Sequence, residues 1–491
     1  MADVVILGAG VSGHTAALHL SRMLGKRDLR SGNHSITVVS PNADWNWIPS
    51  NIWVGVGKME PPQVLFPLQP VYEKRGVKFV QARATAIRPY GTGSDDDRPS
   101  VEVTYTGQDR DGESEVIPYD YLINATGPKL RFEATPGLGP DHHSYSVCTA
   151  SHAADASAAL GRCIESMKDG NECTLVVGMG HGTCTCEGAA FEYAFNVDHE
   201  LREAGVREQA RLVFLTNEAQ LGDFGVDGLT FEHEGFVTHS ELWASSLFRE
   251  RQVEAIVGAH VERVDEGTVH YETLDGEHHS LDFDFAMLLP PFGGVPLKAY
   301  DRDGEDITDQ IFAPSGFMKV DADYTPRPYE EWTVDDWPET YMAPGFDNVF
   351  ATGIAFAPPH QISRPRKSPN GTVIAPSPPR TGMPSGVMGK TVATTIARKI
   401  TDGEDAVPLK ASMGRLGAAC IASSGAGLRR GTAAAMSMLP VVPDYERYET
   451  GRDLHDTRGE IGLAGHWLKL ILHYLFIYKA KGRFGWHLIP E

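Results

Sequence analysis

Val4 to Leu7 is an unbroken apolar run, the mark of a strand covered on both faces. Gly8-Ala-Gly10-Val-Ser-Gly13 follows, and apolar positions then recur at helical spacing to about Met23. A second apolar strand lies at Ile36–Val39. Strand, glycine turn, helix and strand open a dinucleotide-binding fold. Val77–Val80 and Val101–Tyr105 read as further strands, and residues 91–114 as a polar, turn-rich hairpin region. Tyr121–Ala125 is a strand that runs into Thr126-Gly127-Pro128.

The pattern then starts again, offset by about 170 residues. Leu175–Val177 is a strand, Gly178-Met-Gly180-His-Gly182 a glycine turn, Glu187 to about Leu201 a helix, and Leu212–Leu215 the next strand. Phe285–Leu289 and Asn348–Thr352 are later strands. Residues 356–384 are rich in Pro, Ser and basic side chains; a helix at Val387–Ile400 follows directly, so this is a functional loop and not a linker. From about residue 403, Gly/Ala/Ser-rich sequence leads into an apolar, aromatic helix at Trp467–Tyr478. The expected fold is α/β, with two Rossmann-like dinucleotide-binding domains. The first is split between 1–150 and 335–405, the second occupies 151–334, and 406–491 forms a membrane-interacting segment.

Composition narrows this picture. Of 491 residues 41% are hydrophobic and 22% charged, enough for a large core. Asp and Glu number 65 against 44 Lys and Arg, a net charge of -21 that repels nucleic acid. Such a surface suits a salt-rich cytoplasm or an ordinary acidic protein. No stretch approaches the roughly 18 apolar residues of a spanning helix, and the first residues enter a strand without a signal-peptide pattern. Six cysteines are too few for a disulfide scaffold; their clustering points to redox chemistry.

Gly8 permits the tight turn, Gly10 lets the backbone approach a pyrophosphate, and Gly13 allows close packing of helix on strand. The helix N-terminus offers free N–H groups to phosphate. Where many such chains carry an acid to bind ribose, this one has Ser40, whose hydroxyl can still serve. Among the cysteines, Cys186 opens a helix, a position that lowers a thiol pKa and favours thiolate. Cys184, in the same Cys-Thr-Cys, could exchange roles with it or act as a resolving thiol. Cys420 sits among small residues, from Gly417 to Gly427, that allow close approach to a flat ring. Cys163 and Cys173 read as small buried hydrophobes.

Several segments together carry a family resemblance. They are the N-terminal glycine turn, Pro49-Ser-Asn51-Ile-Trp-Val-Gly-Val-Gly57, Ala125-Thr126-Gly127-Pro-Lys129, Cys148 with His152, and Cys186 with Glu192. Ala351-Thr-Gly353-Ile354-Ala355, Arg380-Thr381-Gly382, Cys420 and the aromatic C-terminal helix complete the set. On these the chain resembles the bacterial sulfide:quinone oxidoreductases, membrane-bound members of the flavin disulfide reductase superfamily. The resemblance implies FAD held near Gly8, Gly10, Gly13, Ser40, Pro49, Asn51, Thr126, Gly127, Gly353, Ile354, Thr381 and Gly382, and no metal. Ile354 stands where many flavin disulfide reductases carry Asp.

The resemblance also implies a mechanism. Cys186 and Cys420 form a pair bridged by a disulfide or by extra sulfur; hydrosulfide attacks it, and Cys420 is released to deliver two electrons to the flavin. A membrane quinone takes them up, and sulfur leaves as a polysulfide. Cys148 would assist sulfide entry or sulfur release. His152 and Glu192 would move protons or shape the site, the former as an imidazole near its ordinary pKa. The plainer readings are a capping or core imidazole for His152, and a buried pair or surface carboxylate for Glu192. Asp223 takes the place of a family His, and the loop 360–379 is longer than usual.

A type II NADH dehydrogenase shares the fold, and Glu218 would suit a ribose contact there. However, Cys184-Thr-Cys186 occupies the place where small residues should admit a pyrophosphate. A non-catalytic flavin and thiol sensor is a third reading, without an output domain to support it. On the last helix Trp467, Leu470, Ile471, Tyr474, Leu475 and Tyr478 form an apolar face, flanked by Lys469, His473, Lys479, Lys481 and Arg483. This suits a helix lying in a membrane interface, or one packed on the core or a dimer contact. The expected location is peripheral, on a bacterial-type inner membrane, with room for a homo-oligomer.

Overall fold

The structure is a computed structural model that describes all residues except 93–96, 108, 234 and 427–429. β1 (Ala2–Leu7) lies at the centre of the first sheet, and its side chains are almost wholly buried, as an unbroken apolar run requires. The helix α1 (Val11–Leu24) follows the glycine turn. β2 (His34–Ser40) pairs in parallel with β1, and β3 (Lys78–Arg88) in parallel with β2. A short helix, α2 (Asn51–Gly55), lies between them in sequence. β4 (Ser100–Tyr105) and β5 (Ser114–Pro118) extend β3 as an antiparallel meander. The hairpin expected at 91–114 therefore exists, although its residues 93–96 and 108 lie outside the described ones. β6 (Tyr121–Asn124) joins β1 in parallel on its other side.

The second unit opens with α3 (Ala150–Lys168). β7 (Cys173–Met179), α4 (Glu187–Glu203) and β8 (Ala210–Leu215) then repeat strand, turn, helix and strand. β9 (Glu254–Ile256) and β10 (Phe285–Leu289) complete a four-stranded parallel sheet in the order β9-β8-β7-β10. An antiparallel three-stranded meander covers 259–282.

The chain then returns. β11 (Val349–Ala351) pairs in parallel with β6, and the strand Lys298–Ala299 with β3. α5 (Gly382–Asp402) packs on α1 so closely that a Cβ at Gly389 would stand 2.3 Å from the Ser12 carbonyl oxygen. α5 starts five residues before the helix expected at 387. Pro384 falls in its first turn, where proline costs no helical hydrogen bond.

Beyond 403 the Gly/Ala/Ser-rich sequence is not the irregular lead-in that its composition suggests. It forms β12 (Ala418–Ala426), β13 (Arg430–Met438) and β14 (Arg458–Gly462), an antiparallel sheet. Alanine, serine and glycine are weak strand formers, so propensity hides these strands. Small side chains let the sheet lie close between α4 and α6 (Leu463–Ala480).

α6 is amphipathic in an inverted sense. His466, His473, Lys469 and Lys479 face the protein, whereas Ile471 and Tyr474 are more than half exposed. His466 and Ser423 share a 2.5 Å hydrogen bond, and His473 and Ser50 one of 2.8 Å. Lys469 reaches Glu192 on α4 at 2.9 Å and the Ile421 carbonyl on β12 at 3.4 Å. Glu192 in turn accepts the backbone N–H of Ser423 at 3.2 Å. Thus Lys469, His473 and Lys479 do not flank the apolar face at a membrane surface as expected; they are the inner face. Lys481 and Arg483 remain at the helix end, over the rings of Phe66 and Tyr478.

Removing one member of the Glu192–Lys469 pair strands a buried charge. Lys469→Met should cost about 3–5 kcal/mol in urea unfolding, and adding Glu192→Leu should restore much of it. Equal loss in single and double variants would show that the pair does not hold α6 to α4.

Candidate active site

The first glycine turn has the shape of a phosphate cradle. Gly8 adopts a positive φ of 95°, and a Cβ there would stand 2.2 Å from the Ala125 carbonyl oxygen. A Cβ at Gly13 would meet the Gly8 carbonyl oxygen at 2.1 Å. At Gly10, by contrast, a Cβ would meet nothing within 4 Å, which leaves the backbone open to a ligand at the N-terminus of α1. Thr126 and Gly127 close one side of this opening, with the Thr126 hydroxyl donating to Asn124 at 2.8 Å. Gly353 packs on Ser12, whose hydroxyl donates to Thr352 at 2.8 Å, and Ile354 follows in the same 3-10 turn. Thr381 precedes α5 without capping it, and a Cβ at Gly382 would also meet open space. Two helix N-termini therefore present free N–H donors, as pyrophosphate and the pyrimidine edge of a flavin require.

Two of the expected contacts have other partners. Ser40 is buried and bonds the Asn42 backbone at 3.3 Å. Asn51 is wholly buried; its amide donates to Asn46 at 3.1 Å and to the Val147 carbonyl at 3.2 Å. It ties α2 to the chain just before Cys148, and Pro49 lies in the 3-10 turn leading into α2.

The second glycine turn differs. A Cβ at Gly180 would meet the Leu138 side chain at 2.6 Å, and one at Gly182 the Val373 carbonyl oxygen at 2.6 Å. The loop after residue 356 fills this turn. Ala375 N–H donates to the Gly182 carbonyl and Ser377 N–H to that of Cys184, each at 2.8 Å. The Ser377 hydroxyl donates to the Thr183 carbonyl at 2.9 Å, and the Thr185 hydroxyl to the Pro378 carbonyl at 2.9 Å. Glu218 is buried and accepts from Phe224 N–H at 2.7 Å and the Thr216 hydroxyl at 3.0 Å. The chain itself occupies the place where a second dinucleotide would lie.

The loop delivers Arg380 beside Cys186. The Arg380 backbone N–H bonds the thiol, and its guanidinium lies 5.0 Å over Phe317 and 5.4 Å over Phe356. Cys186 is the N-cap of α4 and one of five non-glycine residues with positive φ among those described, at 73°. Such a conformation costs about 1–3 kcal/mol and is retained where the surroundings enforce it. Gly188, in the first turn of the same helix, makes room for Cys420: a Cβ there would stand 2.5 Å from Cys420 Sγ. Cys186 and Cys420 therefore share the first turn of α4, although 234 residues separate them by number (420 − 186). Cys184 is wholly buried and its thiol donates to the Leu289 carbonyl at 3.1 Å, which gives it a structural partner.

The thiols are not preset as thiolates. Burial, then the Glu187 carboxyl, pushes Cys186 up to about 12, with the Arg380 N–H opposing. Burial pushes Cys420 up to about 11, reinforced by Glu192 and opposed by Lys469. The expected lowering of Cys186 by the helix N-terminus loses to desolvation. Cys148 lies near both Cys184 and Cys186 and is raised to about 11 by burial. His152 takes a capping place: its N–H donates to the Thr149 hydroxyl at 3.1 Å, and its ring meets Phe132 edge-on. Its ring Nδ1 is buried without a partner. Burial lowers its pKa, so it is neutral near pH 7 and not poised there as expected. Glu192 is the buried pair described above. Asp223 is buried and accepts from the Ser363 hydroxyl.

Sequence reasoning missed Gly188, Arg380 as a partner of Cys186, and Glu187. Gly188 immediately follows the Cys-Thr-Cys-Glu segment, and a glycine in the first turn of a helix is itself a signal of close approach.

Fold and site together define a flavin-dependent oxidoreductase built on two dinucleotide folds. Within that class the chain is similar over nearly its whole length to sulfide-quinone reductase. It is 28% identical over 479 residues to the enzyme of that name from Aquifex aeolicus, covering 97% of this chain and 91% of the relative. It matches the crystal structure of the sulfide:quinone oxidoreductase from that bacterium with a TM-score of 0.73 and 25% identity, over 98% of this chain and 92% of the other. The NDH2 structure from Plasmodium falciparum with NADH shares the fold at 12% identity, with a TM-score of 0.61, over 99% and 97% of the two chains. No family model matches. The family resemblance read from the sequence is borne out.

Two outcomes follow from this geometry. Gly188→Ala should displace Cys420, so that sulfide-driven bleaching of the flavin falls at least about tenfold, a barrier of about 1.4 kcal/mol, while flavin content stays unchanged. Alkylation of the reduced protein by iodoacetamide should still be rising at about pH 9, because the thiolate is the reactive form. A plateau near neutrality would mean that burial does not govern these thiols.

Proposed function

We propose that this chain is a sulfide:quinone oxidoreductase that uses FAD, with Cys186 and Cys420 as its redox pair. The observation that carries this reading is the meeting of Cys420 with the first turn of α4 at Gly188. The division into an FAD domain (1–150 and 335–405), a second dinucleotide-type domain (151–334) and a C-terminal segment (406–491) is part of the same reading. It is supported by the return of β11 to the first sheet.

Hydrosulfide attacks the Cys186 sulfur of a bridge between Cys186 and Cys420. One S–S bond forms, the bridge bond breaks, and Cys420 leaves as thiolate. Lys469, which lowers the Cys420 pKa, favours that leaving group. FAD bound in the Gly8–Gly13 cradle and at the start of α5 would take two electrons from the thiol side and yield them to a quinone. Cys148, just before the start of α3 and near Cys186, would accept or release sulfur. Repetition of the attack lengthens the chain, and the product is polysulfide.

A groove of about 930 Å³ runs along α6, lined by Trp53, Met59, Trp467, Leu470, Ile471 and Tyr474 among others. It is apolar and open, as a lipophilic quinone needs. Among the described residues no helix is long and apolar enough to cross a membrane. The exposed apolar face of α6, with Phe484 and Leu488 beyond it, supports attachment to one leaflet.

Anaerobic sulfide should bleach the flavin and NADH should not; bleaching by NADH instead would favour the rival dehydrogenase. Cys186→Ser and Cys420→Ser should each keep the flavin and lose more than about nine-tenths of turnover. Ile471→Glu with Tyr474→Glu should release the protein from vesicles and slow quinone reduction without slowing bleaching by sulfide. Full quinone turnover by that variant would remove the groove from the reaction.

A further inference from the structure

Glu187 directly follows Cys186 and is the first residue of α4, a place where a carboxylate normally faces water. Here its side chain is 1% exposed, and neither carboxyl oxygen has a hydrogen-bond partner. The carboxyl lies against the Gly225 turn, where a Cβ would stand 3.4 Å from Glu187 Oε2. That turn belongs to the loop after β8, which also carries Glu218 and Asp223, both buried. The titratable groups that face Glu187 are Glu218 and Asp223 from this loop and Cys184 and Cys186 from the turn before α4. Arg452 faces Asp223 and Asp227, with its guanidinium bonded to the Gly228 and Val226 carbonyls. The Asn217 amide donates to the Gly182 and Cys184 carbonyls, at 3.3 and 3.2 Å, and also approaches the Glu187 carboxyl.

A buried carboxyl so short of donors, approached only by its own N–H and the Asn217 amide, favours the neutral acid. Burial, then Glu218, raises Glu187 well above the usual carboxyl range, and burial, then Asp223, raises Glu218 to about 8. Asp223 is raised as well, chiefly by burial. It accepts from Ser363, whose Oγ accepts the N–H of exposed Asp227 at 3.2 Å. The cluster thus runs from the Cys186 turn to the surface.

We infer that Glu187 is the acid–base partner of Cys186, with Glu218, Asp223 and Ser363 linking its proton to solvent. The inference rests on the sulfide-oxidising reading above. When hydrosulfide attacks the outer sulfur of a chain held on Cys186, a bond forms between the two outer sulfurs and the bond to Cys186 Sγ breaks. The hydrosulfide sulfur is oxidised and Cys186 Sγ reduced, leaving as thiolate. Glu187 gives that thiolate its proton, producing Cys186 thiol and Glu187 carboxylate. Before Cys186 attacks sulfur again, the proton returns to Glu187. Burial holds the Cys186 thiol up at about 12, so the thiolate released beside a neutral carboxyl is strongly basic.

The test is Glu187→Gln, which keeps the shape and removes the proton. In the reduced holoenzyme, iodoacetamide labelling resolved by peptide should show the Cys186 profile moved to lower pH, while that of Cys420 stays in place. An infrared difference spectrum between reduced and oxidised protein should contain a protonated carboxyl band that disappears in the variant. Successive sulfide turnovers should slow about tenfold or more, with the first bleaching event at the native rate, and Glu187→Asp should recover part of the loss. An unchanged labelling profile together with an unchanged infrared band would overturn the inference, whatever the turnover. If the native protein fails to bleach with sulfide, the functional reading falls, while labelling and infrared still decide whether Glu187 holds the Cys186 proton. Should Glu187→Gln lose its flavin, Glu187→Asp carries the same two spectroscopic measurements.

Discussion

Everything distinctive about this molecule depends on one close approach. β12 can bring Cys420 to the turn that carries Cys186 only because Gly188 has no side chain. The contact joins parts of the chain that the dinucleotide folds would otherwise keep apart. It also explains the composition of β12. A strand of Ala, Ser and Gly lies flat on α4, where larger residues would hold the sulfur atoms at a distance. The cost of such a strand, with little side chain to pack, is met by α6 and its buried Glu192–Lys469 pair.

A second constraint concerns the loop between residues 356 and 381. Its backbone satisfies the carbonyls of Gly182 and Cys184 and its Ser377 hydroxyl that of Thr183, groups that a buried turn cannot leave bare. In doing so it fills the place of a second dinucleotide and sets Arg380 beside Cys186. One segment therefore packs on the second glycine turn, shapes the thiol turn and starts the helix whose N-terminus faces the first cradle.

Charge and membrane attachment meet in α6. The protein carries a net charge of -21, which opposes approach to an anionic leaflet. On the proposed reading, attachment would rest on apolar contact, and the helix places its cations inward, where they pair with Glu192 and Glu491. Lys479 alone bonds Glu491 and the carbonyls of Ile489 and Pro490, which seats the last residues against the core.

The sequence by itself determined the two dinucleotide folds, the cradle at Gly8, Gly10 and Gly13, and Cys186 as a helix-opening thiol. Each is written locally, in a run of apolar residues and a few glycines at fixed spacing, and local pattern survives folding. It marked Cys420 by its small-residue surroundings and by family resemblance, and it placed Lys469, His473 and Lys479 on the wrong face of α6, since helical spacing orders residues around an axis without saying which side is the interior. The pKa of Cys186 went the other way from its helix position because desolvation depends on everything packed around the thiol. The filling of the second glycine turn, the burial of Glu187 and the meeting of Cys420 with Gly188 were decided by tertiary structure alone. All three are contacts between distant segments, and the free energy of such contacts lies in packing and lost hydration, which no stretch of neighbouring residues encodes.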